Sequence, residues 1–384
     1  MGKVNDHETE IRSILIEGGF DSSFSGIVEE KASSIDKKIT QKEVLSRLDL
    51  RKTPTFTIDP EDAKDFDDAI SVKKLQNKNW EVGVHIADVG HYIKDGDPID
   101  KEALNRGTSV YLVDRVVPML PETLSNDLCS LKPNEDKLCF SVIFEFNSKA
   151  ELINYKISKT VIHSDKRFTY DQAQKNIDSK SGLFYKELTQ IKDLSLILRQ
   201  KRKENGSINF EKKEVKFILD KDKNPIDVSF KESLETNRLI EEYMLLANKT
   251  IAKHINNKTN FIYRIHDVPD KDRLVDLKNI VKKFNYSIET SNPKGLSKSL
   301  NKLLSEIKGK PEEDLIATLT IRSMSKAIYS TSNIGHYGLS FNFYSHFTSP
   351  IRRYPDLIIH RLISDFILGE NTYKKERLDF VCKH

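Results

Sequence analysis

Thr57-Ile58-Asp59-Pro60-Glu61-Asp62-Ala63-Lys64-Asp65-Phe66-Asp67-Asp68-Ala69-Ile70 packs five aspartates and one glutamate into ten residues, then runs straight into apolar sequence. A solvated charged face mixes lysine with glutamate and rarely abuts a strand. Here Ala69-Ile70-Ser71-Val72 and Trp80-Glu81-Val82-Gly83-Val84-His85-Ile86 read as strands on either side of the polar turn Gln76-Asn77-Lys78-Asn79. Carboxylates at the mouth of a buried sheet repel one another and lose hydration, so a positive charge must hold them together. That chemistry points to a hard divalent cation, Mg²⁺. A calcium EF-hand is a poor rival, because its required Gly and Glu positions, counted from Asp59, hold Lys64 and Ile70. Turn capping explains one or two of the carboxylates but not Asp59, Asp65, Asp67 and Asp68 together.

Outward from this stretch, Thr55-Phe56-Thr57-Ile58 alternates as a strand that delivers Asp59 at its end. Residues 1–50 read as peripheral, with a short helix over 8–18 and a looser charged one over 27–48. Downstream, a short helix is expected over 100–105 with Asp100 as its N-cap, and strands over 139–146 and 152–163. From Tyr170 the pattern turns helical, over 171–177, 183–203, 233–255, 270–284 and 312–329. Residues 207–210 and 215–219 suggest a hairpin with a turn at 220–224. Strands first and helices later predict an α+β fold, a mixed or antiparallel sheet of five or more strands covered by helices.

Composition sets bounds without choosing a function. Of the 384 residues, 38% are hydrophobic and 31% charged, which excludes wholesale disorder. The net charge of +4 neither demands nor excludes nucleic acid, since an acidic metal site offsets a basic groove in the sum. Three cysteines, Cys129, Cys139 and Cys382, lack metal-ligand spacing and imply a reducing, cytoplasmic compartment. No apolar run is long enough to span a membrane.

Thr348-Ser349-Pro350-Ile351-Arg352-Arg353 is a second constellation. Ser-Pro opens helices and Pro355 suits a first turn, so Arg352 and Arg353 fall at a helix N-terminus, where amide donors already favour an anion. Adjacent arginines there are either solvated or gripping phosphate; an acidic metal site elsewhere in the chain favours phosphate. Asn237, Glu241 and Asn248 share one stripe of an otherwise apolar helix, as a structural network or a ligand-facing edge, and spacing alone favours the network. Tyr111, Tyr170 and Phe210 sit beside turns or strand ends, positions that suit core packing or base stacking. His85 and His91 read best as satisfied structural histidines.

The residues so assembled resemble the catalytic, RNB-type domain of the ribonuclease II/ribonuclease R family of 3′→5′ exoribonucleases. The resemblance is carried by Thr57 to Ala69, Val84-His85-Ile86-Ala87-Asp88-Val89, Pro118-Met119-Leu120-Pro121, Leu128-Cys129-Ser130-Leu131, Leu239-Ile240-Glu241-Glu242 and His346 to Tyr354, in the family's order. It implies metal-dependent, processive hydrolysis of single-stranded RNA from the 3′ end to 5′-mononucleotides, with Mg²⁺ as cofactor and Mn²⁺ as a substitute. By the same resemblance Asp59, Asp65, Asp67 and Asp68 are the metal-binding and catalytic aspartates, and loss of Asp67 stops cleavage while leaving binding. Arg352 contacts the scissile phosphate, with Arg353 beside it. Tyr111 and Phe210 clamp the terminal bases, Tyr170 sets the length of the end product, and Glu241 reads the 3′-terminal nucleotide, which turns the polar stripe from structural to ligand-facing. Two other classes compete: an RNA-binding module without catalysis, and a phosphoesterase for small molecules. Family members also carry oligonucleotide-binding domains before the catalytic domain and an S1 domain after it. Residues 1–50 are therefore expected to be a linker with a remnant of a cold-shock region, and 51–384 the catalytic domain, cut near its C-terminal edge. A monomer whose partner is single-stranded RNA is expected.

Overall fold

The computed structural model describes residues 7–208, 214–220, 225–231, 233–290 and 292–384. Seven of the first nine strands make one sheet: β1 (Leu48–Asp49), β2 (Thr55–Asp59), β3 (Asp68–Lys74), β4 (Trp80–Ala87), β7 (Glu135–Phe146), β8 (Leu152–Ser164) and β9 (Lys166–Thr169). The other two, β5 (Val110–Tyr111) and β6 (Val116–Val117), form a small hairpin apart from it. The sheet order is β1-β8-β7-β4-β3-β2-β9, antiparallel through its centre and parallel at both edges, where β1 meets β8 and β9 meets β2. It is a mixed sheet with helices packed on it, as the α+β reading expects.

The centre is dry on both faces. Every residue of β4 from Val82 to Ala87 is buried, so its alternation is one of large and small side chains rather than apolar and polar ones. His85 is the exception in polarity. Its ring bridges strands, with Nε2 2.8 Å from Ser71 Oγ on β3 and Nδ1 2.8 Å from Ser141 Oγ on β7. Ser141 continues the ladder to Thr160 on β8 at 2.6 Å. Burial holds the imidazole neutral, pulling its pKa down to about 3. His85 is a satisfied structural histidine.

Helices Tyr170–Ser179, Tyr185–Glu204, Glu235–Ile255 and Tyr354–Leu368 share the sheet's core. Helices Lys271–Lys283, Pro293–Ile307 and Glu313–Ser323 build a second, smaller core around Leu277, Val281, Leu300, Leu303, Ile307 and Ile316. Several expected elements differ. The 27–48 segment is two helices, Gly26–Ser33 and Gln41–Leu45, because Asp36 turns the chain by accepting from the Lys38 amide at 2.9 Å. Asp97, not Asp100, caps helix Pro98–Arg106; Asp100 is buried and accepts from Arg361 at 2.7 Å and Tyr354 at 3.1 Å. The strand Glu214–Leu219 (β10) pairs with Pro225–Lys231 (β11), and of the expected segment 207–210 the last two residues lie outside the described residues. The helix expected to reach 329 stops at Ser323, since Ile328–Ser330 (β13) pairs with Tyr263–Ile265 (β12). Spacing did not predict helix Pro293–Ile307, although Asn292 and Pro293 give it an N-cap and an N1 proline.

Candidate active site

β2 and β3 pair only at Thr55↔Ser71 and Phe56↔Ile70, after which β2 turns away and runs parallel to β9 as far as Asp59↔Thr169. Residues 60–67 fill the mouth so opened. The loop has no ladder of its own, so other groups hold its backbone. Ser130 Oγ accepts from the Phe66 amide at 3.0 Å and donates to the Lys64 carbonyl at 2.8 Å. The Leu131 amide donates to Phe66 O at 3.0 Å and the Ala87 amide to Asp67 O at 2.9 Å. Arg167 on β9 donates to the carbonyls of Pro60 and Glu61. The segment Leu128-Cys129-Ser130-Leu131 thus has a task that its sequence did not disclose. Arg167, three residues before Tyr170, was not singled out at all.

Four carboxylates line this mouth. Asp67 is 4% exposed; its Oδ1 accepts from the Ile351 amide at 2.9 Å, and Oδ2 lies 3.4 Å from Arg352 Nε. Burial raises the Asp67 pKa well above the usual carboxylate range, against the opposing pull of Arg352 and the Ile351 amide. Asp59 and Asp68 are raised too, by burial first and then by neighbouring carboxylates. Asp59 Oδ2 and Asp67 Oδ2 are buried and accept no hydrogen bond. Asp65 is half-buried and accepts from the Tyr111 hydroxyl at 3.0 Å. Glu61 and Asp62 are exposed.

The basic half comes from the segment before helix Tyr354–Leu368, whose N-cap is Arg353 and whose first turn holds Pro355. Asp356 Oδ1 accepts from the Ser349 amide and from Arg353 Nη2, each at 2.8 Å. Arg353 is thereby turned inward and engaged, while Arg352 keeps 41% of its side chain exposed and donates through Nη2 to Ser349 Oγ at 2.9 Å. The Arg352 carbonyl accepts from the Ser109 amide at 3.0 Å and Thr108 Oγ1 at 2.9 Å, and the Tyr354 amide donates to Gly107 O at 2.9 Å. These bonds carry the β5–β6 hairpin, and Tyr111 with it, to the acidic loop.

The remaining expected residues are more scattered. Tyr170 opens helix Tyr170–Ser179, one residue beyond the Thr169 that pairs with Asp59, and is half-buried against the core. Glu241 is exposed, 3.9 Å from Arg202, whereas Glu242 is buried and accepts from Arg202 Nε at 3.0 Å. Asn237 accepts from the Leu234 amide at 2.9 Å, and Asn248 accepts from the Phe347 amide at 2.6 Å. The stripe is therefore three separate tasks, and Asn248 anchors the segment that leads to Arg352. Phe210 lies outside the described residues.

The donor set fits a hard cation: all oxygen, anionic, with two buried oxygens lacking a donor. Among the described residues no group of three or more Asp, Glu, His or Cys side chains is close enough together to hold a metal ion on its own. An open arrangement suits Mg²⁺, which keeps waters and shares its shell with substrate phosphates.

A sequence model described as RNB domain matches residues 47–369. The chain belongs to the RNB family. It is 41% identical over 377 residues to Ribonuclease R 1 of Lactococcus lactis, covering 96% of this chain and 46% of that protein. It is 39% identical over 400 residues to Ribonuclease R of Thermotoga maritima, covering 100% of this chain and 55% of that protein. Its RNB fold superposes with a TM-score of 0.91 on Mycoplasma genitalium RNase R solved with ribose-methylated single-stranded RNA, at 32% identity, over 100% of this chain and 60% of that one. The chain spans about half the length of the curated relatives it matches.

Proposed function

We propose that this chain is a metal-dependent hydrolytic exoribonuclease that removes 5′-mononucleotides processively from the 3′ end of single-stranded RNA. The observation that carries the reading is Asp67 beside Arg352: a buried carboxylate whose Oδ2 accepts no hydrogen bond lies, through that oxygen, 3.4 Å from a half-exposed guanidinium. A cation and a phosphate can both be met at such a place. Mg²⁺, with Mn²⁺ as a substitute, is the proposed cofactor, held by Asp59 and Asp67 with Asp65 and Asp68 beside them. The chemistry such an ion supplies when bound is acidification of water and neutralisation of phosphate oxygens.

The chain's own residues do the rest. As the water oxygen adds to phosphorus, the P–O3′ bond breaks, giving a nucleotide with a 5′-phosphate and a new 3′-hydroxyl on the RNA. Arg352, oriented by Ser349, donates to the phosphate oxygens as charge builds on them. Tyr111 offers its exposed ring to a base, and Tyr170, Phe210 and Glu241 complete the grip on the terminal nucleotides. Arg353 supports this from behind through Asp356. The 2′-hydroxyl is the basis for choosing RNA over DNA. We assign the catalytic domain to residues 51–384, with 1–50 leading into it, and expect a monomer acting in the cytoplasm. No helix among the described residues is long and apolar enough to cross a membrane.

The test is digestion of single-stranded RNA labelled at either end, with Mg²⁺ or EDTA. Asp67→Asn keeps an oxygen for the Ile351 amide but removes the charge. It should lower the cleavage rate by about 10²–10³-fold and leave RNA affinity within a few-fold. Internal cuts, or indifference to EDTA and to D67N, would sink the assignment.

A further inference from the structure

We propose that Arg167 is a positioning residue of the active site, bracing residues 60–66 from the β9 side while Ser130 braces them from the other. The proposal rests on the metal-dependent reading above. The loop carries Asp65 and is flanked by Asp59 and Asp67, so the placing of all three carboxylates follows its backbone. That backbone belongs to no sheet: β2 has left β3 after Phe56↔Ile70, and β3 begins only at Asp68. Unpaired peptide groups at the edge of a core need partners, or the loop drifts.

Arg167 supplies them at the loop's start. Its Nη2 donates to the carbonyl of Pro60 and, at 2.9 Å, to that of Glu61. Its guanidinium lies over the Phe66 ring, with Cζ 5.5 Å from the centroid, so one side chain touches both ends of the loop. A planar guanidinium suits this task, donating in its plane and stacking through its face. The root of the side chain is equally fixed. Arg167 pairs with Thr57 in the parallel ladder, on the strand beside the one that delivers Asp59. At the loop's far end Ser130 Oγ holds the Phe66 amide and the Lys64 carbonyl. Ser130 acts on backbone alone, Arg167 on backbone and, as a positive charge, on Asp59, and neither offers a carboxylate, so both steer the ligands without being ligands.

Three variants of the intact chain test this: R167M, R167K and S130A. The first readout is hydrogen exchange of the amides of 60–66 in metal-free protein; the second is kcat and KM on single-stranded RNA with Mg²⁺; the third is the melting temperature. In R167M, loop exchange should quicken by roughly tenfold and kcat should fall by roughly tenfold, with KM little changed. R167K keeps the charge and donors for the two carbonyls but loses the planar face over Phe66, and should fall between wild type and R167M. S130A should quicken exchange at the Phe66 end of the loop. Unchanged loop exchange and kcat in R167M would overturn the proposal. So would a rise in KM alone, which would make Arg167 a substrate contact. If R167M does not fold, the R167K comparison decides. If the wild type shows no Mg²⁺-dependent hydrolysis, the proposed function fails, while the exchange measurement still decides whether the brace exists.

Discussion

Two adjacent arginines of the same type have opposite fates. Arg353, at the N-cap of helix Tyr354–Leu368, meets Asp356 three residues on and turns inward; Arg352, one residue earlier, faces Asp67. Residue type gave both equal claim to a phosphate, and only the direction of the backbone separates them. Tyr111 shows the reverse case, since a single side chain serves two purposes. The residue is 51% exposed while its hydroxyl donates to Asp65. Tyr111→Ala should raise KM for single-stranded RNA by about 5- to 100-fold, the loss of one stacked base. Tyr111→Phe should leave KM near wild type and act instead on kcat, by freeing Asp65. Steady-state kinetics on the two variants checks this, and equal KM values for both would rule out stacking.

Among the elements, the central strands depend on a close approach that sequence spacing does not reveal. His85 reaches Ser71 only because Gly83, two residues back on the same face, has no side chain. A Cβ there would lie 2.4 Å from His85 Nε2 and 2.5 Å from Ser71 Oγ. The two groups are bonded to each other in a dry interior, so neither can move aside without leaving a buried polar atom unpaired. Gly83→Ala should therefore cost about 2–4 kcal/mol, from overpacking plus the lost bond. Urea denaturation measures it, and a change under about 0.5 kcal/mol would show that the ladder yields freely. The strands were legible because β-branched and aromatic runs flank an obvious turn. Element ends were less so. The helix expected to reach 329 is cut short by pairing of β13 with β12, a long-range bond that outweighs helical propensity.

For the whole molecule, the acidic mouth couples metal binding to stability. Burial raises the Asp59 and Asp68 carboxyls from an ordinary 3.8 to about 7. Each therefore contributes stability that is fully present below about 3.8 and is lost as pH rises through about 7, because the native state holds protons that the unfolded chain has released. A bound cation reverses that loss by taking the protons' place. Mg²⁺ should raise the melting temperature by several degrees at about pH 8 and by much less at about pH 5.5. Thermal scans with and without Mg²⁺ at the two pH values measure it, and an equal or absent shift would count against these carboxylates as the binding site.

The sequence by itself determined the acidic stretch, the strands around it, the helix that Arg353 caps, and, through its motifs, the family. These are local patterns: a crowded set of charges, a period of two, a Ser-Pro pair. Tertiary structure decided which groups meet. Asp67 and Ile351 are 284 positions apart, and no spacing rule joins them. The parting of β2 from β3 opens the mouth, Ser130 and Arg167 hold the loop inside it, and the bonds from 107–109 to 352–354 bring Tyr111 and Arg352 to its rim. Such contacts form only once a core has fixed the distances between chain segments, since their closure must first overcome the entropy of the loops between them.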